Sequence, residues 1–261
     1  MMIGRRHLPG LNGDQMPAPA PSQPDPANAE SAGEAAYRRL RADIIQGHLR
    51  PAQRLVLEGL RDAYGAGIST LREVLNRLCS EGLVLAEGQR GFQVAPVSAQ
   101  DLEEVAGLRL LLEHHAMAQS FAAGDLDWEA QVVAAHHKLS VMERRMVAGQ
   151  APDQAPDQSR DTALWKRYDQ DFHFALIAAC GSTALRETHA AVYDKYLRYQ
   201  IVALTFRGSV SGTEHRTLLE AALARDIAAA QRILEGHVLG CVTDTLAGGA
   251  LAPFTGGTRR G

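Results

Sequence analysis

Hydrophobic residues recur at helical spacing along most of the chain, and one short stretch shows this most clearly. In residues 67–84, GISTLREVLNRLCSEGLV, the apolar positions follow the i, i+3, i+4, i+7 spacing of one helix face: Leu71, Val74, Leu75 and Leu78. The opposite face carries small hydroxyls, an amide and arginines: Ser69, Thr70, Arg72, Asn76 and Arg77. The pattern predicts an amphipathic helix with a polar, basic outer face.

The segments around this helix predict a defined order of elements. An apolar stripe predicts a helix over 34–48, which Gly47 and Pro51 break, and a second helix follows over 57–64. The sequence GAG at 65–67 makes a turn before the amphipathic helix. After that helix, apolar residues alternate around a glycine-containing turn in LVLAEGQRGFQV, which indicates a β-hairpin. The order is therefore helix, helix, turn, helix, hairpin.

Residues 98–247 contain long helical patterns and no strand pattern of comparable quality. Helices are predicted at about 98–123, 127–148, 161–179, 183–206, 212–224 and 226–247. Ser98 and Ser182 suit N-cap positions, and Gly124 and Gly181 suit helix ends. This region therefore predicts an all-α bundle of about six helices.

The prediction for the whole chain is a mainly α protein with two domains and two tails. Residues 1–30 are rich in Pro, Ala, Gln and Asn without periodicity, which is typical of a disordered tail. Residues 249–261 resemble them and predict a flexible tail. Residues 31–97 contain the order of a winged helix-turn-helix, and residues 98–248 contain the helical bundle.

Composition and charge exclude several classes of protein. No run of about 18 apolar residues indicates a membrane span, and no apolar block follows the first arginines as it would in a secretory signal. The three cysteines are far apart and suit a reducing cytoplasm. The net charge is −3, yet residues 34–96 hold nine arginines and seven acids, whereas residues 97–247 hold 14 Lys/Arg and 20 acids. A mildly basic module joined to an acidic one indicates two separate roles.

The basic module has the features of a DNA-binding helix-turn-helix, in which the second helix presents polar residues. Thr70 and Glu73 fit a capping box with Thr70 at the N-cap, which would direct Ser69, Thr70 and Arg72 outward. The helix N-terminus offers backbone N–H groups to a phosphate. Arg72 could bind phosphate or guanine, and Asn76 follows one turn later on the same side.

The predicted hairpin places Gln89 and Arg90 at its tip, as the wing of a winged helix does. Its arginine could follow the DNA backbone or enter the minor groove. The alternative for the amphipathic helix is the solvated face of an ordinary helix, on which arginines are common. The complete order of elements, with a basic hairpin tip, favours DNA binding.

Four polar residues of the second domain suggest a metal site. Asp169 and His173 are four residues apart in YDQDFHFALI, so they share a helix face that neighbouring apolar residues direct toward a core. Inward polar groups of this kind need partners or a metal. With His215 in TEHRTLLEAAL and His237 in the last helix, they suit a divalent ion such as Zn²⁺ with open coordination positions. The alternative is a set of satisfied core or surface histidines.

Three stretches carry a resemblance to a known family: LRADIIQGHLRPAQRL, STLREVLNRLCSEGLV and GQRGFQV. Residues 34–96 resemble the winged helix-turn-helix of the GntR superfamily of bacterial transcription regulators. Residues 98–247 resemble the helical effector-binding (FCD-type) domain of its FadR-like branch. That family usually has an arginine before the Ser/Thr that starts the recognition helix, and here the residue is Ile68; its usual proline two residues further is Thr70. The operator therefore cannot be inferred from relatives.

The resemblance also implies roles for residues of the second domain. Many FadR-like members carry D-x-x-x-H, then E-H-R, then a later histidine, and the matching positions are Asp169, His173, His215 and His237. In such domains a metal and nearby polar residues typically hold a small carboxylate effector. Arg109 matches a recurrent arginine that is turned into the bundle and could pair with that carboxylate. The alternative for Arg109 is an ion pair with Glu113, four residues later on the same helix.

These features together predict a cytoplasmic transcription regulator rather than an enzyme. It would bind double-stranded operator DNA as a homodimer, with the two recognition helices in successive major grooves. A small organic acid held in the metal-containing bundle would modulate operator binding, most simply by releasing a repressor. Two alternatives use the same Asp and His residues: a regulator that responds to metal alone, and a metalloenzyme. No additional general base or nucleophile supports the enzyme.

Overall fold

The computed structural model describes residues 31–148, 158–203, 207–249 and 251. Nine α-helices lie within these residues: α1 (Ala32–Ile45), α2 (Leu57–Tyr64), α3 (Ile68–Ser80), α4 (Ala99–Ala123), α5 (Leu126–Ala148), α6 (Gln158–Leu176), α7 (Thr183–Ala203), α8 (Ser209–Leu223) and α9 (Ile227–Ala247). The strands within them are β1 (Arg54–Leu55), β2 (Val84–Ala86) and β3 (Phe92–Val94). The fold is mainly α, as predicted. The predicted tails lie outside the described residues, apart from residues 249 and 251.

The sheet is small and antiparallel, with the strand order β1-β3-β2. β2 and β3 form the predicted hairpin, with Val84 opposite Val94. A 3₁₀ turn at Gly88–Arg90 joins them. β1 pairs with the other edge of β3, where Arg54 lies opposite Gln93. The sequence did not reveal β1 because two residues are too few to show an alternating pattern.

The predicted apolar face of α3 forms the centre of the winged-helix core. Leu71, Leu75 and Leu78 are fully buried and pack in one cluster with Leu40 and Ile44 of α1. The hairpin contributes further apolar residues to the same cluster. Burying a leucine stabilises a fold by about 1.5–3 kcal/mol. The core therefore fixes α3 by one face and leaves the polar face outside.

The start of α3 differs from the prediction, and the capping box is wrong. The helix begins at Ile68 with Gly67 at the N-cap, and no side chain caps it. The first helical hydrogen bond runs from the N–H of Leu71 to the carbonyl of Gly67 at 2.9 Å. Gly65 ends α2 in the left-handed region, with φ of 68°. Because the turn is complete by Gly67, Thr70 already lies inside the first helical turn.

The described part of the second domain forms the predicted bundle of six helices, α4 to α9. α5 packs on α6 and α8, α4 packs on α7 and α9, and α8 packs on α9. The predicted cap of α4 is confirmed, because Oγ of Ser98 accepts a hydrogen bond from the N–H of Asp101 at 3.0 Å. Oγ of Ser182 likewise accepts from the N–H of Leu185 at 3.2 Å, beside the start of α7. None of the described helices is long and apolar enough to span a bilayer.

Arg41 of α1 connects the winged helix to the bundle. Its Nη1 donates a hydrogen bond to Oδ2 of Asp194 on α7 at 2.7 Å. Its Nε donates to Oε2 of Glu81, the residue that follows α3, at 2.8 Å. Beside these contacts, a cleft of about 1260 Å³ lies between α1 and the helices α6 and α7. The recognition helix and the bundle therefore share one charged junction.

Candidate functional site

The polar face of α3 is a candidate nucleic-acid interface. Ser69, Arg72 and Asn76 are exposed, and Thr70 is half-buried. Arg90 is exposed at the hairpin tip, whereas the side chain of Gln89 lies outside the described part of the structure. Because no side chain caps α3, the N–H groups of its first turn remain available to a phosphate.

Two other arginines near this face have structural partners. Nη1 of Arg77 donates to Oε2 of Glu34 at 2.9 Å, and its guanidinium lies 3.5 Å from the centroid of the Tyr37 ring. Nη2 of Arg54 donates to the carbonyl of Arg90 at 3.1 Å, which holds the hairpin tip. Arg72, in contrast, has no ion pair among the described residues. The structure therefore separates Arg72 from Arg77, which the sequence pattern grouped together.

The four residues of the predicted metal site lie together in the bundle. Asp169 and His173 come from α6, His215 comes from α8, and His237 comes from α9. One potential ligand atom from each lies within 4.8 Å of the others, and all four residues are buried. Whether a metal binds there remains a prediction.

Each histidine of the cluster has a carboxylate beside its Nδ1 nitrogen. Nδ1 of His173 lies 2.5 Å from Oε1 of Glu113, Nδ1 of His215 lies 2.6 Å from Oε1 of Glu143, and Nδ1 of His237 lies 2.8 Å from Oε2 of Glu214. A carboxylate that accepts from Nδ1–H fixes the tautomer in which Nε2 can bind a metal. Nε2 of His173 is buried without a hydrogen bond, and Nε2 of His215 has the carboxylate of Asp169 beside it. The donor set therefore fits a divalent metal ion.

Asp169 and His215 form the most strongly charged part of the cluster. Oδ1 of Asp169 lies 3.2 Å from Nε2 of His215, and Oδ2 accepts from the hydroxyl of Tyr193 at 2.8 Å. Burial disfavours the charged form of His215, but Asp169 and Glu143 outweigh it and raise the pKa of His215 to about 9. Burial also opposes ionisation of Asp169, but His215 and Lys166 hold the pKa of Asp169 well below its usual value. The carboxylates of Asp169 and Glu143 therefore favour a positive charge beside them in the cluster.

Arg109 forms the predicted alternative, an ion pair with Glu113, and its pairing with an effector stays a prediction. Its Nε donates to Oε2 of Glu113 at 2.9 Å, so the i,i+4 ion pair exists and is fully buried. Its Nη2 is buried without a hydrogen-bond partner. The guanidinium lies between two aromatic rings, 4.4 Å from the centroid of Tyr193 and 4.6 Å from that of Tyr196. One arm of Arg109 is therefore committed to Glu113, and the other remains available to an anion.

Sequence reasoning named Glu113 only as a possible partner of Arg109, and it missed the role of the other carboxylates that support the cluster. Glu113 also contacts His189, with 3.1 Å between Oε2 and Nε2, so it serves three partners at once. Glu214 directly precedes His215 in the E-H-R triplet, but its partner is His237. Glu143 lies 72 residues before His215, so no local pattern pointed to it. Only the packing of α5 against α8 brings that pair together.

A winged helix-turn-helix followed by a six-helix domain defines a class of DNA-binding transcription regulators. Residues 32–94 match the family model described as bacterial regulatory proteins, gntR family, and residues 104–240 match the FCD domain. The chain belongs to the GntR family and carries the FadR-like type of second domain.

Two relatives and two solved structures agree with this assignment. The chain is 35% identical to the uncharacterized HTH-type transcriptional regulator BphR of Paraburkholderia xenovorans, over 87% of this chain and 90% of that protein. It is 34% identical to the HTH-type transcriptional repressor GlaR of Escherichia coli, over 78% of this chain and 90% of that protein. Escherichia coli McbR/YncC has a similar fold, with a TM-score of 0.67 and 18% identity. The match covers 84% of this chain and 99% of that one. A GntR transcriptional regulator from Rhodococcus has a similar fold with a TM-score of 0.66 and 24% identity. The match covers 82% of this chain and 97% of that one.

Proposed function

We propose that this transcription regulator is a cytoplasmic repressor that a small carboxylate effector releases from its operator. The effector would be held in the helical domain by Arg109 and by a divalent metal, with Zn²⁺ as the first candidate. The ligands of that metal would be the Asp/His cluster: Asp169, His173, His215 and His237. We assign repression rather than activation because one relative is described as a repressor.

The proposed DNA complex uses the exposed face of α3. Ser69, Thr70 and Arg72 lie in or just after the first turn of this helix, and Asn76 follows one turn later. A homodimer would place two such helices in successive major grooves, with the hairpin tips, including Gln89 and Arg90, beside the backbone or minor groove. The mild excess of arginine in this domain supplies attraction to phosphate.

The observation that carries the metal proposal is the set of three Nδ1–carboxylate pairs. Each pair would leave the Nε2 of one imidazole free to bind the metal, and Glu113, Glu143 and Glu214 come from three different helices. A buried histidine without a ligand role needs only one hydrogen-bond partner, and it has no reason to lie beside two other buried histidines. A bound divalent ion supplies a Lewis acid that holds a carboxylate oxygen. Arg109 would orient the same carboxylate through its unpartnered Nη2.

The junction at Arg41 supports a route from the bundle to the DNA. The hydroxyl of Tyr193 donates to Asp169, and the adjacent Asp194 accepts from Arg41, which also binds Glu81 after α3. Binding of an acid beside Asp169 would favour one arrangement of these hydrogen bonds over another. Linkage then requires that the acid lower DNA affinity by the same factor as DNA lowers acid affinity.

Fluorescence anisotropy tests this function most directly. The zinc-loaded protein is titrated onto DNA from beside its own coding region and onto scrambled DNA, at two salt concentrations, with and without candidate acids. We expect tighter binding to the native fragment and release by at least one acid only when metal is bound. Equal, salt-sensitive binding to both DNAs on every fragment tried would contradict sequence-specific regulation. Release by zinc alone would replace the effector with the metal as the signal.

A further inference from the structure

Arg207, which lies two residues before α8, joins α8 and α9 beside one histidine of the Asp/His cluster. Its Nη1 donates a hydrogen bond to Oε2 of Glu214 on α8 at 2.8 Å, and its Nε donates to Oδ2 of Asp244 on α9 at 2.9 Å. Nη1 also lies 3.4 Å from the carbonyl oxygen of His237. Oε2 of Glu214 is the same atom that lies 2.8 Å from Nδ1 of His237. Arg207 therefore binds the carboxylate that supports this histidine, and the proposed DNA and effector contacts do not use it.

The guanidinium of Arg207 lies directly against the backbone of α9. A Cβ at Gly240 would lie 2.5 Å from Nη2 and 2.8 Å from Cζ of Arg207. Real Cβ atoms do not approach other atoms so closely, so a side chain at position 240 would push the guanidinium aside. Glycine inside a helix is destabilising relative to alanine. At this position, the missing side chain makes room for Arg207 to lie across α9.

These contacts lead from the solvent to the cluster in three hydrogen bonds. Asp244 binds Arg207, Arg207 binds Glu214, and Glu214 binds His237. The side chain of Asp244 is 53% exposed, that of Arg207 is 13% exposed, and that of His237 is 5% exposed. Arg207 therefore lies between the solvent and a potential metal ligand.

The carboxylates beside the other two histidines of the cluster are less accessible. The side chains of Glu113 and Glu143 are 0% and 6% exposed, whereas that of Glu214 is 21% exposed. Within the described part of the chain, a cavity of about 490 Å³ reaches Glu143, but its walls include none of the four cluster residues. Passage past Glu113 or Glu143 would therefore require packed helices to separate, whereas passage past Glu214 requires only side chains to move.

We propose that Arg207 is a gate for the metal of the Asp/His cluster, so that a divalent cation reaches His237 only when the guanidinium leaves Glu214. This inference rests on the proposed metal site and adds the path by which that site is filled. In the closed position, the guanidinium places a positive charge where a cation must pass, which opposes entry. Entry and release cross the same barrier, so removal of the gate speeds both by a similar factor. The zinc Kd therefore changes much less than either rate.

Stopped-flow measurements of zinc exchange on the full chain test the gate. Release is followed after zinc-loaded protein is mixed with an excess of a chromophoric chelator, and loading is followed as metal-free protein takes zinc from a weak indicator dye. We expect Arg207→Ala to raise both rate constants by about tenfold, because two charge-assisted hydrogen bonds are lost, and to change the zinc Kd by less than about threefold. Arg144→Ala, which removes an exposed arginine from the cavity beside Glu143, is the control and should change neither rate.

Gly240→Ala tests the same gate without changing a charge. Its Cβ would displace the guanidinium, so both rates should rise as they do in Arg207→Ala, and it is the second variant if Arg207→Ala does not fold. Gly236→Ala, one turn earlier on α9, adds a Cβ that meets nothing within 4 Å and should leave both rates unchanged. Arg207→Lys keeps the charge but lacks the fork of donors that reaches both carboxylates, so its rates should be intermediate.

The outcomes separate this inference from the proposed function. Unchanged rates in Arg207→Ala and Gly240→Ala would overturn the gate and leave the metal site standing. Faster release alone, with a matching rise in the zinc Kd, would also overturn it, because Arg207 would then support His237 as a ligand rather than close a path. Faster exchange in Arg144→Ala alone would do the same, because the path would then run through the cavity beside Glu143. If the chain takes no zinc from the dye, the metal proposal and this inference both fail.

Discussion

Tyr193 donates a hydrogen bond to Oδ2 of Asp169 at 2.8 Å, and the next residue, Asp194, accepts one from Arg41 at 2.7 Å. A contact to the candidate metal centre and a contact to the winged helix are therefore adjacent on α7. Arg41 also binds Glu81, which directly follows the recognition helix. In the proposed function, this series of contacts is the route by which a displacement at Asp169 would alter the position of α3.

Asp194→Asn is expected to weaken communication between the two domains more than binding at either one. The substitution removes the charge that holds Arg41 to α7 but touches neither the DNA face nor the Asp/His cluster. We expect the coupling free energy between acid and operator to fall by about 0.5–2 kcal/mol. The measurement is the ratio of operator Kd with and without saturating acid. Asp171→Asn, exposed on α6, is the control, and an unchanged ratio in Asp194→Asn would contradict this route.

The sequence predicted the elements well because their signals are local. Helical periodicity located all six bundle helices, and Ser98 marked the start of α4. The same reasoning misplaced the start of α3, because Thr70 with Glu73 imitates a capping box inside a helix that Gly67 already begins. The short strand β1 had no signal at all.

The candidate site was predictable only in part, for a different physical reason. The four cluster residues were found from a helix-face argument and a resemblance, and the structure brings them together. Their supporting carboxylates depend on which helices pack together. Glu143, for example, reaches His215 across the α5–α8 interface, and Lys166 reaches Gln200 between α6 and α7. Spacing along one helix contains no information about such pairs.

Glu143→Gln is expected to lower metal affinity without removing a ligand. The glutamate accepts from Nδ1 of His215, and its charge favours the metal-bound state. Loss of such a supporting carboxylate typically costs about 10- to 100-fold in metal affinity. Competition with a chromophoric zinc chelator measures the change, and Glu235→Gln on the exposed face of α9 is the control. Identical zinc affinity in the two variants would show that Glu143 does not support a metal ligand.

Gly212→Ala tests the same carboxylate through packing. A Cβ at Gly212 would lie 3.3 Å from Oε2 of Glu143, so this carboxylate, whose other oxygen contacts His215, must give way by a few tenths of an ångström. At Gly236, which is also helical, a Cβ would meet nothing within 4 Å. Gly236→Ala should therefore stabilise the protein by about 0.5–1 kcal/mol and leave zinc affinity unchanged. Gly212→Ala should gain less stability and bind zinc several-fold more weakly, as thermal melts and chelator competition would measure. Equal zinc affinity in the two variants would rule out this packing effect.

Arg72→Ala and Arg77→Ala should have different effects, although both arginines come from the polar side of one helix. Arg72 is exposed without an ion pair among the described residues, whereas Arg77 binds Glu34 and lies over Tyr37. We expect Arg72→Ala to weaken specific operator binding by about 1–3 kcal/mol if Arg72 reads a base. If Arg72 contacts phosphate instead, the slope of log K against log salt should fall by about one.

Arg77→Ala should instead lower the melting temperature slightly and leave the preference for native over scrambled DNA intact, because its partners belong to α1. Anisotropy titrations at several salt concentrations, with melts of both variants, measure both effects. A loss of specificity in Arg77→Ala alone would show that Arg77 leaves Glu34 to reach the DNA. The residues that contact DNA would then lie in the C-terminal half of α3.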